Sequence, residues 1–464
     1  MKKWLIGLLF MLFAMVTVAC SSDDADANED GNNNEEETDS TSDEANTNDE
    51  AASDEKQVVT FWHAMGGALE EALEEIVDNF NHSQDEIQVN AEYQGTYDEA
   101  LTKFHTIAGT DEAPTMIQVF EIGTMSMVNS GQIEPIQNYV DNDGYNMSDL
   151  EENIINYYKI DDQFYSMPFN SSTPVMYYNK DAFEAAGLDP ENPPATYEEV
   201  EAASKQIKEN NPDMNGFALQ AYGWLFEQLL ANQGALLMNN DNGRSDTPTE
   251  IGFSDEQGKS IFQWVENMIN DDTFANYGTN GDDMVAGFLA EDVAMFLQSS
   301  ASARGVVDQA DFEVGVAFLP HPENVEREGV VIGGASLWMV DDNDQAEKDA
   351  AWEFMKYLQT PEIQAEWHVG TGYFAINPDA YDEPIVQETY EDLPQFKVTV
   401  DQLQSTESSY ATQGAIMDMI PEGRRIMETA LETVYNGGNV DDAYQTAVEQ
   451  FNQAIENANT ARGE

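Results

Sequence analysis

The 464-residue sequence predicts an α/β fold built as two lobes with a ligand crevice between them. Three patterns carry that expectation. Strand and helix signals alternate from residue 57 to 120, helices dominate from about 180 to 301, and strand signals then return before a mostly helical remainder. A chain with that order crosses between two bodies more than once. The expected division is 57–168 with 305–375 for one lobe, and 169–304 with 376–464 for the other; there is no repeat of fixed period.

Each element follows from local pattern. Gln57 to Trp62 is β-prone, and Leu69, Ala72, Leu73, Ile76, Val77 and Phe80 then recur at helical spacing. Ile87 to Tyr93 alternates like a strand, Tyr97 to Ile107 reads as helix, and Met116 to Phe120 as a buried strand. This rhythm implies a parallel or mixed sheet covered by helices. Phe164 to Phe169 and Pro174 to Tyr178 read as strands around a turn at Asn170-Ser171-Ser172-Thr173. Helices are predicted at Tyr197 to Lys208, Trp224 to Gln233 and Asp255 to Ile269, and strands at Val293 to Leu297, Glu313 to Phe318 and Val330 to Ile332. The closing stripe of Val440, Tyr444, Ala447, Val448, Phe451 and Ile455 is the core face of a last helix.

Composition narrows the function. With 89 acidic against 18 basic residues, a net charge of -71 and a pI near 4.1, electrostatic binding of nucleic acid is excluded. Hydrophobic residues at 41% suffice for a large core. Cys20 is the only cysteine, so neither an intramolecular disulfide nor a thiolate metal cage can form.

Lys2 and Lys3 precede a 15-residue apolar run, Trp4 to Val18, which is shorter than the ~20 residues that span a bilayer core. Residues 1–19 therefore read as a signal peptide. The run ends at Thr17-Val18-Ala19-Cys20, which resembles the bacterial lipobox, with Thr17 where leucine is usual. Cys20 is expected to be lipidated and to hold the chain on the outer face of the membrane; the competing reading makes it a late residue of the apolar run. Residues 21–56 hold 15 acidic residues and one lysine, almost without large apolar side chains, and read as a solvated tether. Setting aside Lys2, Lys3 and the -14 of this stretch leaves -59 on residues 57–464, so the body itself is acidic. Such a surface suits a saline exterior, where the Debye length shrinks to ~3 Å at molar salt; selection for solubility alone is the alternative.

Motifs for chemistry are sparse. Gly252 to Ser260 imitates a phosphate loop but has five residues between its glycines instead of four, so it reads as a helix start. The histidines at 63, 82, 105, 321 and 368 lack zinc-site spacing, and Asp141, Asp143 and Glu152 make only part of a calcium loop. No G-x-S-x-G elbow occurs. No cofactor or metal is expected. A surface glycosidase using paired carboxylates stays open, because acidic residues are too abundant for any pair to be singled out.

Five segments then carry a resemblance: Phe61-Trp62-His63; Gln118 through Thr124; Pro168-Phe169-Asn170-Ser171-Ser172-Thr173-Pro174; Ile332 through Trp338; and Glu366-Trp367-His368 through Tyr373. In this order they resemble the extracellular solute-binding proteins of ABC importers, and within them the glycerol-3-phosphate-binding branch. The resemblance runs from about 57 to 458. It implies the two-lobed, hinged type II periplasmic-binding-protein fold, acting as a monomer that passes a small solute to a membrane permease driven by a separate ATPase.

It also implies a ligand set: Tyr97, Glu121, Ser172, Ser299, Gly334 and Tyr373, with Tyr222, Trp224, Arg304 and Trp62 as further candidates. Neutral donors encircle a phosphate without adding charge, and a carboxylate suits vicinal hydroxyls. Each residue has a plainer reading as well. The tyrosines are amphipathic core edges, Glu121 favours a helix N-terminus, the serines cap turns, and Gly333-Gly334 makes a bulge. Two positions depart from the family. Ile416 stands where the relative has its phosphate-binding arginine, and Ala221 where it has a tryptophan. Arg304, five residues beyond Ser299, is the expected substitute cation. Otherwise the pocket has moved toward a glycerophosphodiester, a neutral polyol or an oligosaccharide.

Overall fold

The computed structural model describes residues 56–463. The signal run, Cys20 and all of the tether except Lys56 lie outside the described residues.

Thirteen strands are described: β1 (Gln57–His63), β2 (Ile87–Tyr93), β3 (Met116–Phe120), β4 (Ile133–Glu134), β5 (Lys159–Ile160), β6 (Gln163–Phe164), β7 (Ser166–Ser172), β8 (Pro174–Asn179), β9 (Asn215–Ala218), β10 (Phe274–Ala275), β11 (Val293–Ser299), β12 (Val314–Ala317) and β13 (Gly333–Val340). They form two main sheets. The first has the order β2-β1-β3-β13-β4, with β7 also paired to β13. β1 runs parallel to β2 and β3, while β13 runs antiparallel to β3, β4 and β7. The second sheet has the order β10-β9-β11-β8-β12.

One helix that feeds the first sheet starts where its cap dictates. A capping box, Thr96 with Glu99, starts the helix Tyr97–Ile107 and fixes Tyr97 as its first residue. The phosphate-loop imitation likewise resolves into a capping box of Ser254 with Gln257, opening the helix Asp255–Asn270. Buried side chains such as Ile76, Phe80, Val59 and Phe354 pack on one face of the first sheet. Ile117, Val119 and Trp338 join a core that continues through Trp224, Leu229, Met427 and Leu431. The second sheet closes over Tyr177, Phe288 and Phe296.

The chain changes sheet later than expected. β7 ends at Ser172 in the first sheet and β8 begins at Pro174 in the second, so only Thr173 separates them. The predicted turn at Asn170–Thr173 is strand through Ser172, because its backbone pairs with β13 and the buried Asn170 amide finds partners in Gln118 and Tyr97. Ser300 and Thr173 exchange bonds at 2.8 and 3.3 Å, and Gln402 Nε2 donates to Thr173 Oγ1 and the Pro174 carbonyl. β12, expected in the first lobe, pairs with β8 in the second sheet. The return crossing therefore falls between Ala317 and Gly333 instead of at 304–305. Val330 to Ile332 is not a strand: the Val331 backbone bonds both ends of the Gln228 amide, at 2.7 and 2.9 Å, and the strand starts at Gly333.

Candidate functional site

Three strand ends of the first sheet are tied by one chain of side chains. Gln118 on β3 accepts the Ala64 N–H at 2.8 Å and donates from Nε2 to Asn170 Oδ1 at 2.7 Å. Asn170 on β7 then donates from Nδ2 to the Tyr97 hydroxyl at 2.8 Å. The Tyr97 ring stacks on Phe120 with centroids 5.5 Å apart and planes 6° from parallel. Tyr373 stacks on Trp367 at 5.8 Å, and its phenol reaches Tyr97 and Asn170. Burial raises the pKa of both tyrosines, so they act as neutral hydroxyls.

Tyr373 is held from behind. His368 Nδ1 lies 2.6 Å from the Tyr373 carbonyl oxygen, so Nδ1 carries the proton and Nε2 accepts from Tyr390 at 3.0 Å. Burial lowers His368 to about 4, which keeps it neutral.

Glu121 follows β3 in a short turn, Glu121–Gly123, and is 4% exposed. Its carboxylate meets a cation from the far end of the chain. Arg424 Nη2 donates to Glu121 Oε1 at 2.8 Å and to Glu227 Oε2 at 2.7 Å, and Nε donates to Glu227 Oε1 at 3.0 Å. Burial opposes the guanidinium charge, but Glu227 and Glu121 outweigh it and hold Arg424 ionised. Burial also raises Glu227, against the pull of Arg424. Two carboxylates against one guanidinium leave this buried group at a formal -1.

Packing explains the meeting. Gly223 opens the helix Gly223–Ala231, and a β-carbon there would lie 2.5 Å from the Arg424 Cα. Only glycine lets this helix and Ile420–Tyr435 approach so closely. Tyr222, just before, is pushed up to about 12 by burial and feels Arg424, Glu121 and Glu227. Trp224 lies on the β13 end, its Nε1 2.8 Å from where a Gly333 β-carbon would stand, and that Nε1 has no protein hydrogen-bond partner. The space bounded by Glu121, Glu227, Arg424, Asn242, Tyr157 and Gly414 is about 20 Å³, room for one water.

The structure thus brings together Tyr97, Tyr373, Glu121 and Tyr222 from the expected set. Ser172 ends β7 opposite Gly333. Gly334 has φ 97°, and a β-carbon there would be 1.8 Å from the Asn170 carbonyl oxygen, so glycine is needed for the β7–β13 pairing itself. Ser299 serves as a cap, its Oγ accepting the Ala301 N–H at 3.2 Å. Trp62 is engaged on the β2 side, donating to Glu92 at 2.9 Å with Lys103 Nζ 4.1 Å above its ring. Arg304 makes a surface pair with Asp308 of its own helix at 2.7 Å and has a side chain 41% exposed; the cation that meets Glu121 is Arg424. Sequence reading missed Arg424, Glu227, Asn170 and Gln118. One signal for Arg424 was available: it shares the apolar stripe of Ile420, Met427 and Leu431.

A family model described as bacterial extracellular solute-binding protein matches residues 75–398. The chain belongs to this family. This solute-binding protein is 32% identical over 392 residues to the sn-glycerol-3-phosphate-binding periplasmic protein UgpB of Yersinia pseudotuberculosis, covering 83% of this chain and 89% of that one. To UgpB of Escherichia coli O6:K15:H31 it is 31% identical over 405 residues, 86% and 92% of the two chains. Among solved structures, UgpB from Mycobacterium tuberculosis in complex with glycerophosphocholine superimposes with a TM-score of 0.75 at 20% identity, covering 86% of this chain and 98% of that one. The cyclic alpha-maltosyl-1,6-maltose binding protein from Arthrobacter globiformis does so at 0.72 and 23%, covering 87% and 100%. The two-lobed α/β fold is that of these proteins. As a family member the solute-binding protein is a receptor in ABC import and not an enzyme.

Proposed function

We propose that this protein captures a glycerol-phosphate solute, glycerol 3-phosphate or a glycerophosphodiester, by closing its lobes, and delivers it to an ABC permease. Anchoring by a lipid on Cys20, the acidic tether and a saline exterior complete the reading. The observation that carries it is the Glu121–Arg424–Glu227 group, set beside the Tyr97 and Tyr373 hydroxyls at the edge of the first sheet. Glu121 accepts from solute hydroxyls once Arg424 turns to the phosphate, and the tyrosines donate without adding charge. Solute that engages both lobes favours the closed arrangement by its differential affinity.

Charge separates the two solutes. A phosphate monoester carries about -1.5 to -2 at neutral pH and a diester -1. An extra negative charge ~6 Å from the unbalanced carboxylate, at an effective dielectric of ~20, costs about 3 kcal/mol, roughly a hundredfold in affinity. The diester is therefore the better fit. A neutral sugar is the second reading, favoured by the same -1 and by the fold shared with a maltose-type binder. Calorimetric titration in molar salt with glycerophosphocholine, glycerol 3-phosphate and maltose tests this. The expected order is diester tightest; saturation by maltose alone would reject the phosphate reading.

A further inference from the structure

A second cavity lies away from this group and shares none of its residues. It holds about 550 Å³ between β12, the loop Pro193–Ala195 and the helix Pro394–Gln404. β12 is the outer strand of the second sheet and pairs only with β8, so its free edge faces the groove. Gln395 crosses to that edge, donating from Nε2 to the Val314 carbonyl at 2.6 Å. Val316, Phe318, Val398 and Pro194 make the lining largely apolar.

Two polar atoms interrupt it. Arg327 Nη1 and Gln395 Oε1 are both buried and have no hydrogen-bond partner on the protein. Arg327 donates from Nη2 to Ser405 Oγ at 2.9 Å, and its guanidinium lies 4.8 Å from the Phe318 ring centroid. Among the described residues it forms no ion pair. In a chain with 89 acidic residues and 18 basic ones, a half-buried guanidinium with one shielded, unpartnered nitrogen and no carboxylate is conspicuous. Desolvating an unpaired cation is costly unless an anion meets it. Lys180, at the edge of the groove, is already paired with Glu191 and Glu313 at 2.9 and 3.0 Å.

We propose that this groove is a second ligand site, for a small amphipathic monoanion that also carries a hydrogen-bond donor. The anionic group pairs with Arg327, the donor meets Gln395 Oε1, and the apolar body lies along β12. The volume falls in the range of small-molecule sites, ~300–1,000 Å³. The lining from Phe318 to Arg327 belongs to the segment by which the chain returns to the first sheet, so the site sits on the inter-lobe connection.

The probe is 8-anilinonaphthalene-1-sulfonate, which combines a sulfonate, an anilino N–H and a naphthalene body, titrated into the purified protein and followed by its fluorescence. One saturable site per chain is expected. Arg327→Gln should weaken it at least tenfold with an unchanged far-UV circular dichroism spectrum, and Arg425→Gln, the same charge change at an exposed position, should leave it unaltered. Ala195→Trp fills the rim without touching the cation and should abolish binding, which decides the matter if Arg327→Gln fails to fold. Absence of saturation, several equivalent sites, or a folded Arg327→Gln binding within twofold of wild type would overturn the proposal. The readout is independent of the transported solute.

Discussion

Replacing Arg424 by methionine keeps most of the apolar stem and removes the guanidinium. Three charge-assisted hydrogen bonds of 2.7 to 3.0 Å disappear, and two carboxylates whose side chains are 6% and 16% exposed lose their counter-charge. Breaking a buried pair from one side costs about 3–5 kcal/mol, a large share of the ~5–15 kcal/mol that stabilises a typical domain. The loss depends on pH in a definite direction. Without Arg424, burial raises the folded-state pKa of Glu227 further, so its deficit is full above that value and fades as acid protonates it toward the ordinary value of ~4.3. Urea unfolding followed by tryptophan fluorescence, at pH 7.5 and pH 5 in fixed salt, reads both effects. The variant Glu121→Gln, Glu227→Gln, Arg424→Met, which removes all three charges, should recover at least about 2 kcal/mol. A single-variant loss under about 1 kcal/mol, a deficit equal at both pH values, or no recovery would refute the electrostatic account.

Three further outcomes are expected. His368 and His63 are both lowered by burial to about 4, below the unfolded ~6.5, so wild-type stability is full above pH 6.5 and falls as pH drops toward 4; His368→Gln should flatten that fall by up to about 3 kcal/mol, and an unchanged slope in pH-dependent unfolding would count against it. Gly334→Ala drives a β-carbon to 1.8 Å from the Asn170 carbonyl at φ 97°, so it should cost at least about 3 kcal/mol or prevent folding, checked by urea midpoint against wild type. Asn170→Ala strands the Gln118 amide and removes the donor to Tyr97, for a loss of about 2–4 kcal/mol together with weaker solute binding by calorimetry.

Much of the architecture was legible because it rests on local pattern. β2, β3 and the helix from Tyr97 to Ile107 fall where alternation, an apolar run and helical pattern placed them. The element the pattern misread, Asn170 to Ser172, is polar in composition yet buried, with its backbone paired to β13 and the Asn170 amide bonded to Gln118 and Tyr97. Composition cannot distinguish a solvated turn from a strand whose polar groups find buried partners. The crossing between Ala317 and Gly333 was missed for a related reason, since a strand's sheet depends on its partners and not on its own residues.

At the site, three residues singled out from recognisable motifs, Tyr97, Glu121 and Tyr373, lie near one another in the structure. Arg304 was singled out for nearness to Ser299 along the chain and makes a surface pair with Asp308, whereas the cation that meets Glu121, Arg424, reaches it across 303 residues. By itself the sequence determined the acidic character of the body, the α/β class and the family resemblance, all properties of composition, periodicity and short motifs. Tertiary structure alone decided which charges meet, because buried Coulomb energy depends on distance in space, and that distance is set by packing such as the close approach permitted at Gly223.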